Sequence, residues 1–346
     1  MKSRFEAALN TFLDDYTAPA ELYDPIHYIM KAGGKRVRPL LTLLSAQAVS
    51  RTSGTHSQLP LEREQTTIVD NAMHAAIAVE LVHNFTLVHD DIMDRSELRR
   101  GGPTVHMKWN ESAAILSGDV MIGLATRALL RSASHAKQPL AVVDAFSTGI
   151  VDVCDGQALD LALMSRSDVS IDDYFDMISK KTAKLLEMSA VVGALVGGAD
   201  EATVENLRAF AGGIGIAFQL QDDLLDLVGT EDFGKQHGGD IVEGKRTWLM
   251  LRAQVILADG DSIEGDSIKS QEFKSLSEQF FRDNGLPRER VHDVITMMNE
   301  LGVVDEARAL IERTTQDAFA HLHSLPHTPA RDMLEALANN LVARKT

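Results

Sequence analysis

The sequence predicts an all-α protein folded as one domain, and three observations carry that prediction. Helical periodicity runs along almost the whole chain, with no series of β-hairpin signals and no alternating βα pattern. The stretch from Asn71 to Val88 is rich in Ala, Val, Leu and His and is apolar nearly all round, as a helix inside a bundle is. Aromatic residues are only 5% while Ala and Leu abound, which suits close-packed helices. At 346 residues, about 150 per domain would suggest roughly two domains. However, the polar, turn-rich stretches at 50–68 and 258–275 lack the length and composition of a linker. They read as surface insertions in a single domain spanning 1–346.

The elements follow in order. The N-terminal MKSRFEAALNTFLDDY is polar and acidic, unlike a signal peptide. Asp24 and Pro25, followed by IHYIMKAGG, predict an N-cap, a proline at the first helical position and a glycine stop. Ser170, with Asp173 three residues on, predicts a capping arrangement before YFDMISKKTAKLLEMSAVVGALVGG. The most apolar stretch, Val191 to Ala199, is far too short to span a membrane. Cys154 is the one cysteine, which rules out an internal disulfide framework and fits a reducing, cytoplasmic compartment. Lys plus Arg number 34 against 50 Asp plus Glu, a net charge of −16, without the basic footprint of a nucleic-acid binder.

The string DDxxD occurs three times, at Asp90–Asp94, Asp172–Asp176 and Asp222–Asp226. On a helix, residues four apart share a face, so Asp90 with Asp94, and Asp222 with Asp226, can point the same way. Such hard oxygen ligands suit Mg²⁺, which takes one or two carboxylates plus substrate phosphates. Both strings close long apolar patterns, NFTLVH and GIGIAFQLQ, so they fall near helix C-termini, where the dipole favours cations. The middle string follows a cap instead. Acidic residues in a first turn are favoured by the dipole without any ligand.

Cations gather around the same segments. Arg99 and Arg100 follow Asp94 and precede a Gly-Gly-Pro turn, while Lys35, Arg36 and Arg38 follow Gly33-Gly34. Lys180-Lys181-Thr182, Gly234-Lys235 and Gly244-Lys245-Arg246-Thr247 add more. Arg forks and Lys point charges are what diphosphate oxygens require.

Taken together, LVHDDIMD-x4-RRGGPTVH, GGKRVRP and FQLQDDLLDLVG-x4-GK-x3-GDI-x3-KRT resemble the trans-isoprenyl diphosphate synthases, or polyprenyl synthetases. The resemblance runs from about Asp24 to Thr247 and is weaker beyond. It implies a bundle of long helices around a central cavity, the isoprenoid synthase fold, usually as a homodimer. It implies that Asp90, Asp91, Asp94, Asp222, Asp223 and Asp226 hold three Mg²⁺ ions on an allylic diphosphate. Lys35, Arg38, His83 and Arg100 match the isopentenyl diphosphate site. Arg99, Lys181, Lys235 and Lys245 match contacts to the allylic diphosphate. Thr182 and Gln219, with Lys181, match groups at the reacting carbons, and Gln157 and Asp160 match a cavity wall.

The implied reaction is a head-to-tail condensation: the allylic diphosphate ionises, the isopentenyl double bond attacks C1, and a proton leaves to the released diphosphate. Charge stabilisation, alignment and exclusion of water suffice, with no nucleophilic side chain. A class I terpene cyclase would replace the second aspartate string with an Asn/Ser/Glu motif. A non-catalytic synthase subunit would have lost acidic residues. Neither departure occurs here. Phe85 and Thr86 lie about one turn before Asp90, and a turn rises 5.4 Å, close to one isoprene unit. An aromatic at that place without a second beside it, before an uninserted DDIMD, resembles the pattern associated with geranylgeranyl (C20) products. Farnesyl diphosphate (C15) is the alternative.

Overall fold

The structure, a computed structural model, describes residues 1–49, 61–229, 237–258 and 267–343. The all-α expectation is met. In order, the helices are α1 (Lys2–Leu13), α2 (Ala20–Lys31), α3 (Val37–Val49), α4 (Leu61–Met93), α5 (Val105–Lys108), α6 (Glu111–Ala133), α7 (Pro139–Met164) and α8 (Ile171–Ile178). They continue as α9 (Lys184–Val196), α10 (Glu201–Val228), α11 (Gly239–Glu243), α12 (Trp248–Ala258), α13 (Ser267–Asp283), α14 (Val291–Glu300), α15 (Val303–His323) and α16 (Pro329–Val342). Among the described residues the one β-ladder pairs β1 (Leu98–Arg99) with β2 (Gly102–Pro103). Of the two polar stretches read as turn-rich insertions, residues 50–60 and 259–266 lie outside the described residues, and the rest corrects that reading: 61–68 open α4 and 267–275 open α13.

The chain forms two compact units. The first comprises Met1–Ile150, Leu185–Ala209 and Leu322–Leu337. Its centre is α4, which packs against α3 and α6. Ala72, Ala75, Ala76, Ile77, Ala78, Val79, Leu81 and Val82 are all buried, so the helix is enclosed on every side, as its all-round apolarity predicts. Each Leu, Ile or Val so buried contributes about 1.5–3 kcal/mol. Glycine lets α9 approach α3: a Cβ at Gly193 would collide with the Thr42 carbonyl. By length and composition α6 could cross a membrane. Here its Ala114, Met121, Ala125, Ala128 and Leu129 are buried in this unit's core.

The start of α2 differs from expectation. It begins at Ala20 with Pro19 at the N-cap, so Pro25 is the sixth residue of the helix. An interior proline costs about 3 kcal/mol through its missing donor and ring clash. Burial of Pro25 with Ile26, Ile29 and Met30 on one face offsets that cost. The glycine stop stands: α2 ends at Lys31 and Gly33 has φ 74°.

The second unit comprises Val151–Lys184, Phe210–His321 and 338 to the end. Tyr174, Phe280, Leu220, Val294, Met297 and Met298 are buried in it. α12 packs on α8 and α13, and Phe210 stacks on Phe319 at 6.2 Å. The Ser170 cap is present as a reciprocal capping box with Asp173. The helix that follows is not uniform, however: Ser179–Ala183 form a π-helical turn before α9.

Candidate active site

In the first unit, the Asp90 string sits at the C-terminal end of α4, as the sequence predicts. The helix stops in a Schellman motif. Ser96 N–H donates to the Asp91 carbonyl at 2.9 Å, Arg95 N–H donates to that of Ile92 at 3.2 Å, and Arg95 takes φ 52°. Asp90 is half-buried and Asp94 exposed. Asp91 turns inward and is 1% exposed. Its Oδ1 accepts from Arg99 Nε at 2.7 Å, while Oδ2 is buried with no hydrogen-bond partner. Arg99 therefore touches the aspartate string itself.

Arg100 and Gly101 form the two-residue loop between β1 and β2, with φ 53° and 79°, as a type I′ turn requires. This hairpin is pinned from outside. Tyr28 hydroxyl donates to the Pro103 carbonyl at 2.8 Å, and Lys108 Nζ lies 3.7 Å from the Tyr28 ring centroid. The Arg100 guanidinium reaches the 33–36 loop, donating to the Gly33 carbonyl and lying over Gly34, where a Cβ would sit 3.5 Å from it. Arg38 Nη1 lies 3.3 Å from His83 Nε2. Burial, then the charges of Arg38, Arg100, Arg99 and Arg36, hold the His83 imidazole well below its usual pKa. His83 is thus neutral, and its Nε2 can accept from Arg38. Lys35 is exposed and Arg38 half-buried. Arg38 and Arg100 both lie near His83, and Arg100 meets the Gly33–Gly34 backbone beside Lys35 in the chain. The basic segment needs one correction, because Arg36, read with its neighbours as a cation of the site, is buried between Glu6 and Glu80. Half-buried Phe85 lies edge-on to His89 at 4.8 Å, and Thr86 donates to the His83 carbonyl at 2.8 Å.

In the second unit, the Asp222 string occupies the last two turns of α10. Asp222 and Asp226 are half-buried and Asp223 is 7% exposed. A chain of hydrogen bonds converges on Asp223. Tyr174 hydroxyl donates to its Oδ2 at 2.7 Å, Gln219 Nε2 to its Oδ1 at 2.8 Å, and Thr182 Oγ1 to Gln219 Oε1 at 2.9 Å. Burial and the nearby Asp240 charge raise the Asp223 carboxyl to about 7, against those hydrogen bonds and Lys245. Asp226 Oδ2 accepts from the Asp240 N–H at 2.9 Å and so tethers the start of α11. Gly244, with φ 72°, ends α11, and Lys245 beyond it reaches Asp240 at 2.9 Å and Glu243 at 3.1 Å. Burial lowers the Lys245 pKa, but those two carboxylates raise it further, so it stays charged.

Lys181 and Thr182 lie in the π-turn, a form that recurs at functional sites. The turn is closely approached: Gly156 of α7 lies against the backbone of Lys181, where a Cβ would not fit. Lys181 pairs with Asp160, four residues after Gly156. Both amide atoms of Gln157 are buried without a partner. The expected contact Lys235 lies outside the described residues. Asp240 and Tyr174 are the site's neighbours that sequence reasoning passed over. Asp240 had a signal, an acid five residues before Lys245; Tyr174 had none.

The donors at both aspartate strings are hard oxygens. One buried oxygen of Asp91 is left unmatched beyond its pair with Arg99, and burial beside Asp240 raises Asp223 to about 7 despite its hydrogen bonds, so both strings keep acid that their own partners do not fully offset. Among the described residues no three His, Cys, Asp or Glu side chains gather as a closed metal site. Mg²⁺ fits such donors, because it binds through one or two carboxylates and takes its remaining ligands from water and phosphate.

The model of the polyprenyl synthetase family matches residues 19–277. Geranylfarnesyl diphosphate synthase of Natronomonas pharaonis is 35% identical over 331 residues, 94% of this chain and 91% of that protein. Geranylgeranyl diphosphate synthase of Methanosarcina mazei is 34% identical over 344 residues, 99% of this chain and 95% of that one. The crystal structure of geranylgeranyl pyrophosphate synthetase from Pyrococcus horikoshii superposes with a TM-score of 0.80 at 32% identity, covering 99% of this chain and 96% of that one. With both acidic helix ends, their cations and the all-helical fold in place, the chain belongs to the polyprenyl synthetase family, whose members are Mg²⁺-dependent prenyl diphosphate synthases.

Proposed function

We infer that this chain condenses isopentenyl diphosphate head-to-tail with dimethylallyl, geranyl and farnesyl diphosphates and releases geranylgeranyl diphosphate. The observation that carries the reading is the crowding of acid at the ends of α4 and α10, where Asp91 and Asp223 are buried within their aspartate strings. Such a cluster is relieved by divalent cations, and three Mg²⁺ are assigned to Asp90, Asp91, Asp94, Asp222, Asp223 and Asp226. When bound, Mg²⁺ supplies neutralisation of the allylic diphosphate. Arg99, Lys181, Lys235 and Lys245 stabilise the charge that develops on that leaving group. Lys35, Arg38 and Arg100 bind isopentenyl diphosphate, and neutral His83 accepts from Arg38. Thr182, oriented by Gln219, faces the reacting carbons with Lys181. The working form is a cytoplasmic homodimer.

Phe85, one turn before the aspartate string, is the floor that limits the product to C20, with Thr86 beside it. The name of the Natronomonas pharaonis relative favours a second product reading, one isoprene unit longer at C25. The test is incubation with isopentenyl and dimethylallyl diphosphates, with Mg²⁺ and then with EDTA, followed by chromatography of the dephosphorylated products. Linear C20 product that vanishes with EDTA is expected. Cyclic hydrocarbons would mark a terpene cyclase, and no product a non-catalytic subunit.

A further inference from the structure

The loop that carries Lys35 and leads into Arg38, the second residue of α3, has an uncommon backbone. Gly33, Gly34 and Arg36 have φ of 74°, 148° and 53°. Glycine takes such angles freely, whereas a residue with a Cβ is strained there. Such strain persists only where the surroundings over-determine it. Around Arg36 they do. Its side chain points into the first unit and the residue is 4% exposed. Nε donates to Glu6 Oε1 at 2.8 Å, Nη1 to Glu80 Oε1 at 2.6 Å and Nη2 to the Met30 carbonyl at 2.6 Å. Glu80, 2% exposed, also accepts from Asn84 Nδ2 at 3.3 Å. The Arg36 carbonyl accepts from Leu40 N–H at 3.2 Å, so the same residue starts α3.

The first helix reaches this loop twice. Glu6 of α1 meets Arg36, and Lys2 of α1 donates Nζ to the Gly34 carbonyl at 2.8 Å. Residues 2 and 6 are four apart and lie on one helix face. From the other side Arg100 donates to the Gly33 carbonyl. Two carboxylates face Arg36, so it offers no net positive charge to a ligand. What it sets is the backbone from which its neighbours Lys35 and Arg38 project. A misplacement of about 1 Å can cost as much as about 100-fold in an aligned site.

We propose that Arg36 is a positioning residue for isopentenyl diphosphate, and that α1, through Glu6 and Lys2, belongs to the frame of that site. The proposal rests on the reading of Lys35 and Arg38 as ligands of that diphosphate, and it extends the site to a helix that touches no substrate.

The experiment uses the full-length chain with Glu6→Ala, Lys2→Ala, Arg36→Lys and, as reference, Lys35→Ala. Glu6 is about one-third exposed at its side chain and leaves Arg36 paired with Glu80, so its variant keeps the fold even if Arg36→Lys does not. Three quantities are measured: the Kd of isopentenyl diphosphate by calorimetry, the KM of each substrate, and the thermal midpoint. Glu6→Ala should raise the Kd and KM for isopentenyl diphosphate about tenfold, with the allylic KM within about twofold of wild type. Lys2→Ala should move the same two constants less. Arg36→Lys, which keeps the charge but loses the fork, should move them at least as far as Glu6→Ala. If Lys35→Ala weakens isopentenyl diphosphate but folded Glu6→Ala leaves its Kd unchanged, the frame is overturned and the site stands. If both KM values rise together as the thermal midpoint falls, α1 serves general packing, and the proposal is overturned on that ground. If Lys35→Ala itself changes nothing, the reading of the site fails and the proposal falls with it.

Discussion

Tyr174→Phe removes a single oxygen from the interior of the second unit. The ring, which packs edge-on to Phe175 at 5.5 Å, is kept. Tyr174 is 1% exposed and its hydroxyl donates at 2.7 Å to Asp223 Oδ2. Asp223 keeps the bond from Gln219 at 2.8 Å on its other oxygen. With its carboxyl raised to about 7, Asp223 is mostly protonated well below that pH. The lost bond is then between neutral groups and is worth about 1 kcal/mol. Well above pH 7 the carboxylate is charged, and the bond becomes charge-assisted, worth about 2–3 kcal/mol. The sign follows from linkage. A carboxyl raised in the native state stabilises the fold fully below its unfolded value of 3.8, and that stability is lost as pH rises through about 7. Losing the Tyr174 donor raises the carboxyl further and steepens the loss. Urea unfolding in EDTA, followed by circular dichroism at about pH 5.5 and about pH 8, should therefore show a variant weaker at both and weaker by a further 1–2 kcal/mol, roughly, at the higher pH. A deficit that is equal at the two pH values, or larger at the lower one, would refute a hydrogen bond to a titrating carboxylate.

Other perturbations separate the remaining roles. Asp90→Ala and Asp222→Ala should each lower kcat by about 100-fold or more, because they remove charge stabilisation rather than packing. Asp173→Ala, in the capping box, should leave turnover within about twofold; steady-state assays of all three at matched Mg²⁺ decide, and an Asp173 variant as damaged as the Asp90 variant would contradict the division of the aspartate strings. Phe85→Ala should send products beyond C20 at similar total turnover, read by chromatography of the dephosphorylated alcohols, and an unchanged distribution would place the floor elsewhere. His83 is held neutral by burial and by four arginines, so the unfolded chain takes up a proton that the native state refuses as pH falls below about 6.5. Stability is then lost at up to about 1.4 kcal/mol per pH unit, and His83→Gln should remove that slope in urea titrations between about pH 6.5 and about pH 5.

What was legible in the sequence had local causes. The enclosure of α4 follows from an apolar run with no polar face, and the ends of α4 and α10 at their aspartate strings follow from where those runs stop. The middle aspartate string was separable because Ser170 stands three residues before Asp173, a signal complete within one turn. Helix α2 shows the opposite: Asp24-Pro25 is a sound local start signal, yet the helix begins more than a turn earlier, at Ala20 behind Pro19.

The basic loop shows why the rest was hidden. Arg36 and Arg38 are the same residue type, two positions apart, after the same pair of glycines. Nothing within the loop says that one turns inward and the other stays half-buried. The deciding partners, Glu6 and Glu80, stand 30 and 44 residues away. The contact at the Lys181 π-turn is equally distant in sequence, since Gly156, which lies against it, is on another helix. Charge counting along a sequence finds cations suited to a diphosphate but cannot tell a ligand from the residue that aims it. A guanidinium that two carboxylates neutralise contributes geometry, whereas one left half-exposed contributes charge. In this protein the chemistry was written in short motifs, and the alignment of that chemistry in contacts between distant ones.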